Sequence, residues 1–462
     1  MNLRNVTFFL ALCFFAYASA VLESGCATIG TPTGGPRDSI PPVLLDANPP
    51  NGSLNFKGNR ITLTYDEYVQ LVKLQDNLLV STTPKIIPNV DFKLKTVTIK
   101  IRDTLEPNTT YRLDFGNSIA DNNEGNAVKH FSYIFSTGSY IDSLQLSGNV
   151  QLAETGKKDS TLLVFLYKDL DDSAVLKHKP RYIARLDSMG NFTFHNLPGG
   201  VYNIYALKDE GGQKIYNHPD ELFAFADSIV KVSDSTKSIQ LFAYVEEKPK
   251  PKTSAATNSK EKKLKYTSSL ENGKQDLLTP LKIEFTHPLK DFDSTKILLT
   301  DTLFNPYKLA IVTIDTTKKE ITIQNKWVDN SDYRLIIPKD FATDTSGIAL
   351  LKSDTIHFQT KKENDYGSIA INFKNLDKFK NPVLQFVLNN EVVNSYPLTS
   401  VKWSIKLFKP GDYEMRILED LNKNGVWDPG NYHLKLQPEK VYSISQKLNI
   451  RADWDNERDI EL

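Results

Sequence analysis

Residues 190–202 read Gly-Asn-Phe-Thr-Phe-His-Asn-Leu-Pro-Gly-Gly-Val-Tyr. Phe192 and Phe194 alternate with polar residues, and strict alternation predicts a β-strand with one buried face and one exposed face. The Pro198-Gly199 pair that follows ends this strand and reverses the chain, because proline lacks an N–H donor and glycine tolerates positive φ. The stretch therefore predicts two strands separated by a tight reversal.

The same pattern occurs again 211 residues further along the chain. It resembles the transthyretin-like or carboxypeptidase-regulatory-like sandwich, in which two strands flank a Pro-Gly turn. The resemblance implies that the chain carries two such sandwiches. The aligned positions are Phe192, Phe194, Gly200, Tyr202 and Asp209 in the first copy, and Trp403, Ile405, Gly411, Tyr413 and Asp420 in the second.

A second repeat precedes each copy of the first, with an offset of 222 or 223 residues. Its first copy, from Pro41 to about Gly138, resembles the bacterial Ig-like domain common in cell-envelope lipoproteins of the Bacteroidota. The second copy has His287 where the first has Glu67, so a role carried by Glu67 would not transfer to it. The aligned positions are Tyr111, Leu113, Asp121, Gly125, Phe135 and Thr137, and Tyr333, Leu335, Asp344, Gly347, Phe358 and Thr360.

The two repeats together predict an all-β chain of tandem β-sandwiches, Ig-like and transthyretin-like, in an A-B-A-B order after a cleaved signal peptide. The predicted segments are the signal peptide (1–25), a flexible tether (26–40), Ig-like domain 1 (41–138), transthyretin-like domain 1 (139–246), a Lys/Pro/Ser linker (247–265), a divergent Ig-like domain 2 (266–361) and transthyretin-like domain 2 (362–462).

The N-terminus predicts export. Arg4 precedes an apolar run from Val6 to Leu22, which is short for a membrane span but typical of a signal-peptide core. The sequence Leu-Glu-Ser-Gly-Cys that ends at Cys26 resembles a bacterial lipobox, and this resemblance implies lipidation of Cys26. The alternative is ordinary cleavage after Ala20, which would leave Cys26 as a free thiol. The only other cysteine, Cys13, lies inside the signal.

Charge and composition exclude some partners. The chain has 56 basic and 56 acidic residues among 462, so its formal net charge is zero, and no broad basic face for nucleic acid is expected. Its 40% hydrophobic and 24% charged residues are typical of folded globular domains. The lysine-rich stretch from Lys248 to about Lys265 is interpreted as a solvated linker, or alternatively as a site of attraction to anionic lipid headgroups or glycans.

One loop has the order of a calcium-binding motif. Oxygen-bearing side chains stand at positions 1, 3, 5 and 9, a glycine at position 6 and a backbone carbonyl at position 7, as in EF-hand-type loops. Position 12 is Asn431 rather than a bidentate glutamate. The alternative is a turn that satisfies its own backbone through Asn and Asp side chains. The candidate calcium ligands are Asp420, Asn422, Asn424, Val426 and Asp428; no cofactor is otherwise required.

Several other polar patterns have simpler interpretations. Glu67 is expected at a strand end or on the surface, and residues 121–126 are expected to form an inter-strand turn. Asp-Ser/Thr-X triplets resemble the O-glycosylation sequon of exported Bacteroidota proteins, although Asp, Ser and Thr also abound in turns. The candidate acceptors are Ser39, Thr104, Ser143, Ser173, Ser228, Thr302 and Thr355.

Catalytic signatures are missing from the sequence. The seven histidines are scattered singly, and no H-E-x-x-H, G-x-S-x-G or phosphate-binding glycine loop occurs. We therefore expect a non-enzymatic, lipid-anchored outer-membrane protein on either membrane face. Its expected role is a scaffold or accessory subunit for an outer-membrane β-barrel protein or its assembly machinery. The alternative is glycan binding through Trp403, Trp427 and Tyr432, although alternation places Trp403 in a core.

Overall fold

The computed structural model describes residues 37–247, 263–307 and 311–462, together with Leu12 and Phe14 as isolated positions. The chain divides into two compact units. The first comprises the residues up to Val80 and Pro84–Ile141, and the second comprises Ser81–Thr83 and Asp142–Leu462. In the described ranges almost all regular structure is β-strand, which confirms the all-β prediction. The same ranges contain no helix with the length and apolarity that a membrane crossing requires.

The first unit is built from nine strands and one short helix, and we call residues 37–141 module 1. Its sheets have the strand orders β1-β2-β6-β5, β4-β7-β9 and β3-β8. Ile61, Leu63 and Tyr65 are fully buried on one face of β2, as their alternation predicts. The elements are β1 Leu44–Asn48, β2 Arg60–Tyr65, β3 Val69–Leu71, α1 Leu74–Asn77, β4 Leu79–Ser81, β5 Asn89–Lys93, β6 Thr96–Lys100, β7 Thr110–Gly116, β8 Ile119–Asp121 and β9 Phe131–Ser136.

The second unit contains three successive groups of sheets, each around its own buried cluster. We call residues 142–247 module 2. Its two sheets have the orders β13-β10-β17 and β12-β11-β14-β15, with β16 also paired to β14. The elements are β10 Leu144–Leu152, β11 Leu163–Tyr167, α2 Ala174–Lys177, β12 Tyr182–Arg185, β13 Asn191–Leu197, β14 Gly200–Leu207, β15 Phe223–Phe225, β16 Val230–Val232 and β17 Ile239–Ala243.

Residues 263–361, without the undescribed 308–310, form module 3. Its sheets have the orders β18-β20-β24-β23, β19-β27-β25-β22 and β21-β26. The elements are β18 Tyr266–Ser268, β19 Lys274–Gln275, β20 Leu281–Phe285, β21 Leu289–Phe292, a 3₁₀ turn Ser294–Lys296, β22 Leu298–Thr300, β23 Ile311–Ile314, β24 Glu320–Gln324, β25 Asp332–Ile337, β26 Ala342–Asp344 and β27 Asp354–Thr360.

Residues 362–462 form module 4, with sheets in the orders β31-β28-β34 and β30-β29-β32-β33. The elements are a 3₁₀ turn Glu363–Asp365, β28 Gly367–Lys374, a 3₁₀ turn Leu376–Lys378, β29 Pro382–Leu388, β30 Glu391–Pro397, β31 Lys402–Phe408, β32 Gly411–Glu419, β33 Val441–Ile450 and β34 Asp455–Glu461.

Residues 190–202 form β13 and the start of β14, as predicted. The positive φ at this reversal is at Asn196 (57°) and not at Gly199 or Gly200. The two strands belong to different sheets, so the turn at Pro198-Gly199 carries the chain from one layer of the sandwich to the other. Tyr202 is buried and donates its hydroxyl to the carbonyl of Pro198, at 3.0 Å. The aligned Tyr413 makes the same bond to Lys409, also at 3.0 Å. Each tyrosine thus braces the turn that precedes its own strand.

Modules 1 and 3 also share a strand order and a bonding pattern. The order β1-β2-β6-β5 corresponds to β18-β20-β24-β23. The Tyr111 hydroxyl accepts the Glu106 N–H at 2.9 Å, and the aligned Tyr333 accepts that of Val328 at 3.2 Å. These matching bonds, 222 residues apart, support the internal repeat. The A-B-A-B order and the domain boundaries stay predictions.

Candidate functional site

The predicted calcium loop lies between β32 and β33 of module 4. Asp420 is buried, and its carboxylate accepts the backbone N–H groups of Asn424 at 3.1 Å and Gly425 at 2.8 Å. Asn422 and Asn424 both donate their side-chain amides to Asp428 Oδ2 at 2.7 Å. The oxygen atoms of the Asp420, Asn422, Asn424 and Asp428 side chains are thus bonded to donors within the loop, as in an Asn/Asp turn.

Glu439 is a part of this site that sequence reasoning missed. Its side chain is 4% exposed, and its two carboxylate oxygens accept the N–H groups of Leu421 at 2.6 Å and Asp428 at 3.1 Å. Burial raises the pKa of Glu439, and the charges of Asp420 and Asp428 raise it further, whereas the two N–H bonds lower it. Glu439 lies 11 residues beyond the loop motif, and no local pattern marks it.

Glu439 brings a third carboxylate to the loop, from outside the nine-residue motif. Even so, no group of three or more His, Cys, Asp or Glu side chains in the described ranges is arranged to hold a metal ion. A cation would need the carbonyl oxygens of Asn422 and Asn424, where this structure directs their amide nitrogens to Asp428. Calcium binding therefore stays a prediction.

The three aromatic residues proposed for glycan stacking do not form a common exposed surface. Tyr432 is 2% exposed and cannot offer a face to a sugar. Trp403 is half-buried against the core of module 4, near Phe386 and Tyr396, as its alternation predicted. Trp427 is half-buried too, and its indole N–H donates to the Glu439 carbonyl at 2.8 Å. The three side chains therefore do not converge on one exposed surface, and glycan binding stays a prediction.

Tyr432 instead joins module 4 to module 2. Its hydroxyl donates to the Asp172 carbonyl at 2.7 Å and lies 3.0 Å from the hydroxyl of Tyr205. The Tyr432 ring also meets its aromatic neighbours edge to face, and such ring pairs stabilise a contact beyond the effect of the area that they bury. Four aromatic rings of module 2 surround that of Tyr432 at centroid distances from 5.2 to 6.3 Å: Tyr205, Tyr216, Phe223 and Phe225.

Hydrogen bonds extend the contact between modules 2 and 4 along β33. The Val441 N–H donates to Ala153 O at 3.0 Å, and the Ser443 hydroxyl donates to Thr155 O at 2.8 Å. Gly430, which precedes β33 in the chain, also lies close to module 2. A Cβ atom at this position would be 2.7 Å from a ring carbon of Tyr244. Modules 2 and 4 are therefore docked side by side, although module 3 separates them in sequence.

A smaller ionic cluster connects modules 3 and 4. Glu271 pairs with Lys361 at 2.6 Å and with Lys409 of module 4 at 2.8 Å. Hydrogen bonds and charge from these two lysines lower the pKa of Glu271 to about 2. The Tyr366 hydroxyl also accepts the N–H of Leu277 across the same boundary, at 2.7 Å.

In module 1, Glu67 lies just beyond the end of β2 and is half-buried, as expected for a strand-end position. Burial raises its pKa, and the negative charge of Asp121 contributes to this shift. Asp121 is 1% exposed and accepts the N–H groups of residues 123–126, at 2.5 to 3.0 Å. This bonding confirms an inter-strand turn. The aligned Asp344 binds the N–H groups of Ser346 and Ile348 in the same manner, both at 2.8 Å.

The structure describes the predicted glycosylation sites but not the predicted lipidation site. Cys26 lies outside the described residues, as do the predicted cleavage region of the signal peptide and most of the predicted tether and linker. The glycosylation candidates are all at least partly accessible, and their modification stays a prediction. Exposed are Ser39, Thr104, Ser143, Ser228 and Thr302, and half-buried are Ser173 and Thr355.

Comparison with known proteins identifies one domain. Residues 38–137 match the family model of the bacterial Ig-like domain. No curated protein matches the chain. Among solved structures, similar ones include part of the native alpha-2-macroglobulin from Escherichia coli, with 13% identity, a TM-score of 0.20, and coverage of 41% of this chain and 73% of that one.

Two further similar structures come from bacilli. The Bacillus anthracis TIE protein is 10% identical, with a TM-score of 0.17 and coverage of 93% of this chain and 75% of that one. The major pilin subunit BcpA of Bacillus cereus is 12% identical, with a TM-score of 0.17 and coverage of 69% and 99%. Such TM-scores carry no argument about the function of this chain.

Proposed function

We propose that this protein is a non-catalytic, lipid-anchored component of a bacterial outer membrane, where it serves as a scaffold or accessory subunit for an outer-membrane protein or its assembly machinery. The docking of modules 2 and 4 is the observation that supports this role most directly. A buried aromatic cluster and backbone bonds hold the two sandwiches together. A docked pair of sandwiches presents the surfaces of two modules side by side, which suits a scaffold.

The bonding of the buried carboxylates supports a structural role for them. Asp121 and Asp420 accept backbone N–H groups of their own loops, and Glu439 accepts those of the loop that contains Asp420. The transthyretin-like nature of modules 2 and 4, and membership of the Bacteroidota envelope lipoproteins, are parts of the same proposal. They rest on the sequence patterns and on the repeated tyrosine bond at Tyr202 and Tyr413.

The lipid anchor is tested separately from the partner. Cells that express the wild type or Cys26→Ala are labelled with radioactive palmitate and fractionated. We expect label and membrane association in the wild type and neither in the variant. Equal release of both proteins into the soluble periplasm, with cleavage after Ala20, would refute the anchor.

The scaffold role is tested by cross-linking in intact membranes, followed by purification in mild detergent and identification of the linked proteins. We expect a specific outer-membrane protein with the wild type, and loss of that protein with Tyr432→Ala, which opens the docked pair. Tyr140→Ala is the matched control, because Tyr140 is 55% exposed. Recovery of the same proteins from a strain that lacks the chain would contradict the proposal.

Glycan binding is the weaker proposal, because its three aromatic residues do not converge. It would have to use other loops of the sandwiches. Flat titrations of the purified protein against envelope polysaccharides would remove it.

A further inference from the structure

The last strand of module 4 has an unpaired edge. β34 pairs in parallel with β28 from Asp455 to Glu461 and ends the sheet order β31-β28-β34. Successive residues of a strand direct their backbone groups to opposite sides. The Ser368 N–H donates to Trp454 O and the Leu462 N–H donates to Lys374 O, so the even-numbered residues of β34 bond to β28. The backbone groups of the odd-numbered residues point to the other side, where no described strand pairs with them. One of them, the Glu457 carbonyl, accepts a hydrogen bond from the guanidinium of the neighbouring Arg458 at 2.7 Å.

The same odd-numbered residues are all acidic, and all are exposed: Asp455, Glu457, Asp459 and Glu461. Residues two apart in a strand project from the same face about 6.6 Å apart, so their carboxylates form one row along the edge. Asp455 accepts the hydroxyl of Ser368, and Asp459 accepts the side-chain amide of Asn372 at 3.0 Å, both on the neighbouring β28. None of the four forms an ion pair with a residue that the structure describes. Lys402, on the outer face of β31, is separated from this row by the width of β28.

An exposed tryptophan stands at the start of this row. Trp454 is 59% exposed, whereas the other three tryptophans are half-buried or buried. The guanidinium of Arg451 lies 5.4 Å from the centre of its ring. Tryptophan is over-represented among the residues that dominate binding energy at interfaces. Charged side chains on a strand edge also prevent unwanted pairing, and Trp454 adds an apolar surface that this protection does not require.

The charge of the row selects the partner. A second copy that paired through the same edge would place carboxylates beside carboxylates, which is unfavourable for cross-strand neighbours. A strand with lysine or arginine at every second position would place each cation beside a carboxylate. Its backbone groups would lie against the N–H and C=O groups of β34 that no strand pairs, and would displace the Arg458 side chain from the Glu457 carbonyl. Its length would match the seven residues of the edge, about 23 Å.

We propose that the free edge of β34 binds an extended segment of a partner protein that carries basic residues at alternate positions, with Trp454 as an apolar anchor. The segment extends the sheet β31-β28-β34 by one strand. This inference deepens the proposed scaffold role and rests on it, because it names the surface and the chemistry of the partner.

The test uses the full detergent-solubilised chain and a fluorescent peptide, Lys-Thr-Lys-Thr-Lys-Thr-Lys with blocked ends, in an anisotropy titration. A second peptide has the same composition in blocks, Lys-Lys-Lys-Lys-Thr-Thr-Thr. A third is the alternating peptide with backbone N-methyl groups on its two central lysines. We expect saturable binding of the alternating peptide and about tenfold weaker binding of the other two, because they lose the register or the backbone donors.

The variant Asp455→Asn/Glu457→Gln/Asp459→Asn/Glu461→Gln removes the charges with nearly isosteric side chains. We expect it to bind the alternating peptide at least about tenfold more weakly, since four exposed ion pairs are lost. Asp220→Asn/Asp227→Asn/Asp234→Asn/Glu247→Gln makes the same charge change at exposed positions of module 2 and is expected to bind as the wild type does. Unfolding curves of both variants check that the modules remain folded.

Three results would overturn the proposal: no saturable binding of the alternating peptide, equal binding of the block peptide, or equal loss in both quadruple variants. The last two would indicate charge attraction without strand pairing. In each case, capture of a partner by membrane cross-linking would still support the scaffold role. Intact peptide binding without any captured partner would refute the scaffold role and would still support peptide binding at the edge of β34.

Discussion

The contact between modules 2 and 4 makes Tyr432 the most informative position to change. Its ring is 2% exposed, lies within 5.2 to 6.3 Å of four aromatic rings and carries a hydroxyl with two hydrogen-bonding neighbours. Truncation of a buried aromatic side chain to alanine costs about 3–5 kcal/mol. Loss of the hydroxyl alone leaves Asp172 O and the Tyr205 hydroxyl without this partner, which costs about 1–2 kcal/mol.

We therefore expect Tyr432→Ala to lower the free energy of opening of the module 2–module 4 contact by about 3–5 kcal/mol, and Tyr432→Phe by about 1–2 kcal/mol. Hydrogen exchange resolved by segment measures this directly. Protection should fall in residues 430–443 and in residues 151–155 of module 2, because their mutual backbone bonds open together. Exchange in module 1 should not change.

Tyr140→Ala, at a position that is 55% exposed, is the control and should change exchange by less than about 0.5 kcal/mol. If Tyr432→Ala behaved like this control, the aromatic cluster would not hold the two modules together. If Tyr432→Phe had as large an effect as Tyr432→Ala, the hydroxyl bonds and not the ring contacts would dominate.

Three further predictions concern single sites. Glu271 has a folded pKa of about 2, below its ordinary value of 4.5, so its ion pairs stabilise the boundary of modules 3 and 4 above about pH 4.5 and lose this effect as the pH falls towards 2. The effect should be under about 1 kcal/mol, since the Glu271 side chain is 55% exposed, and should vanish in acid-unfolding curves of Glu271→Gln and in high salt. Asp121→Asn should destabilise module 1 by about 1–3 kcal/mol in urea unfolding, because one carboxylate binds four N–H groups, whereas exposed Asn123→Ala should change it by less than about 0.5 kcal/mol. If loop 420–428 binds calcium, millimolar calcium should raise the unfolding temperature of the wild type and not that of Asp420→Asn/Asp428→Asn. Equal unfolding curves with and without calcium would show that the loop is a turn without a bound ion.

Much of the architecture could be predicted from residues that act locally. Alternation of Ile61, Leu63 and Tyr65 predicted the buried face of β2, and the Pro198-Gly199 pair predicted the reversal between β13 and β14. The repeat offsets aligned Tyr202 with Tyr413, whose hydroxyls make the same bond. These predictions succeeded because strand period, turn chemistry and side-chain-to-backbone bonds each involve residues only a few positions apart.

What the sequence determined by itself is the all-β character of the chain, the turns between its strands and the positions of its buried faces. The tertiary structure alone decided that Tyr432 is buried in module 2, that Glu439 braces the loop of Asp420, and that β34 keeps a free acidic edge. Tyr432 and Tyr205 are 227 residues apart, and Glu439 is separated from its loop by an irregular segment. Contacts between residues so far apart in sequence depend on how the folded sandwiches pack against each other, and no local pattern of residue types encodes that packing.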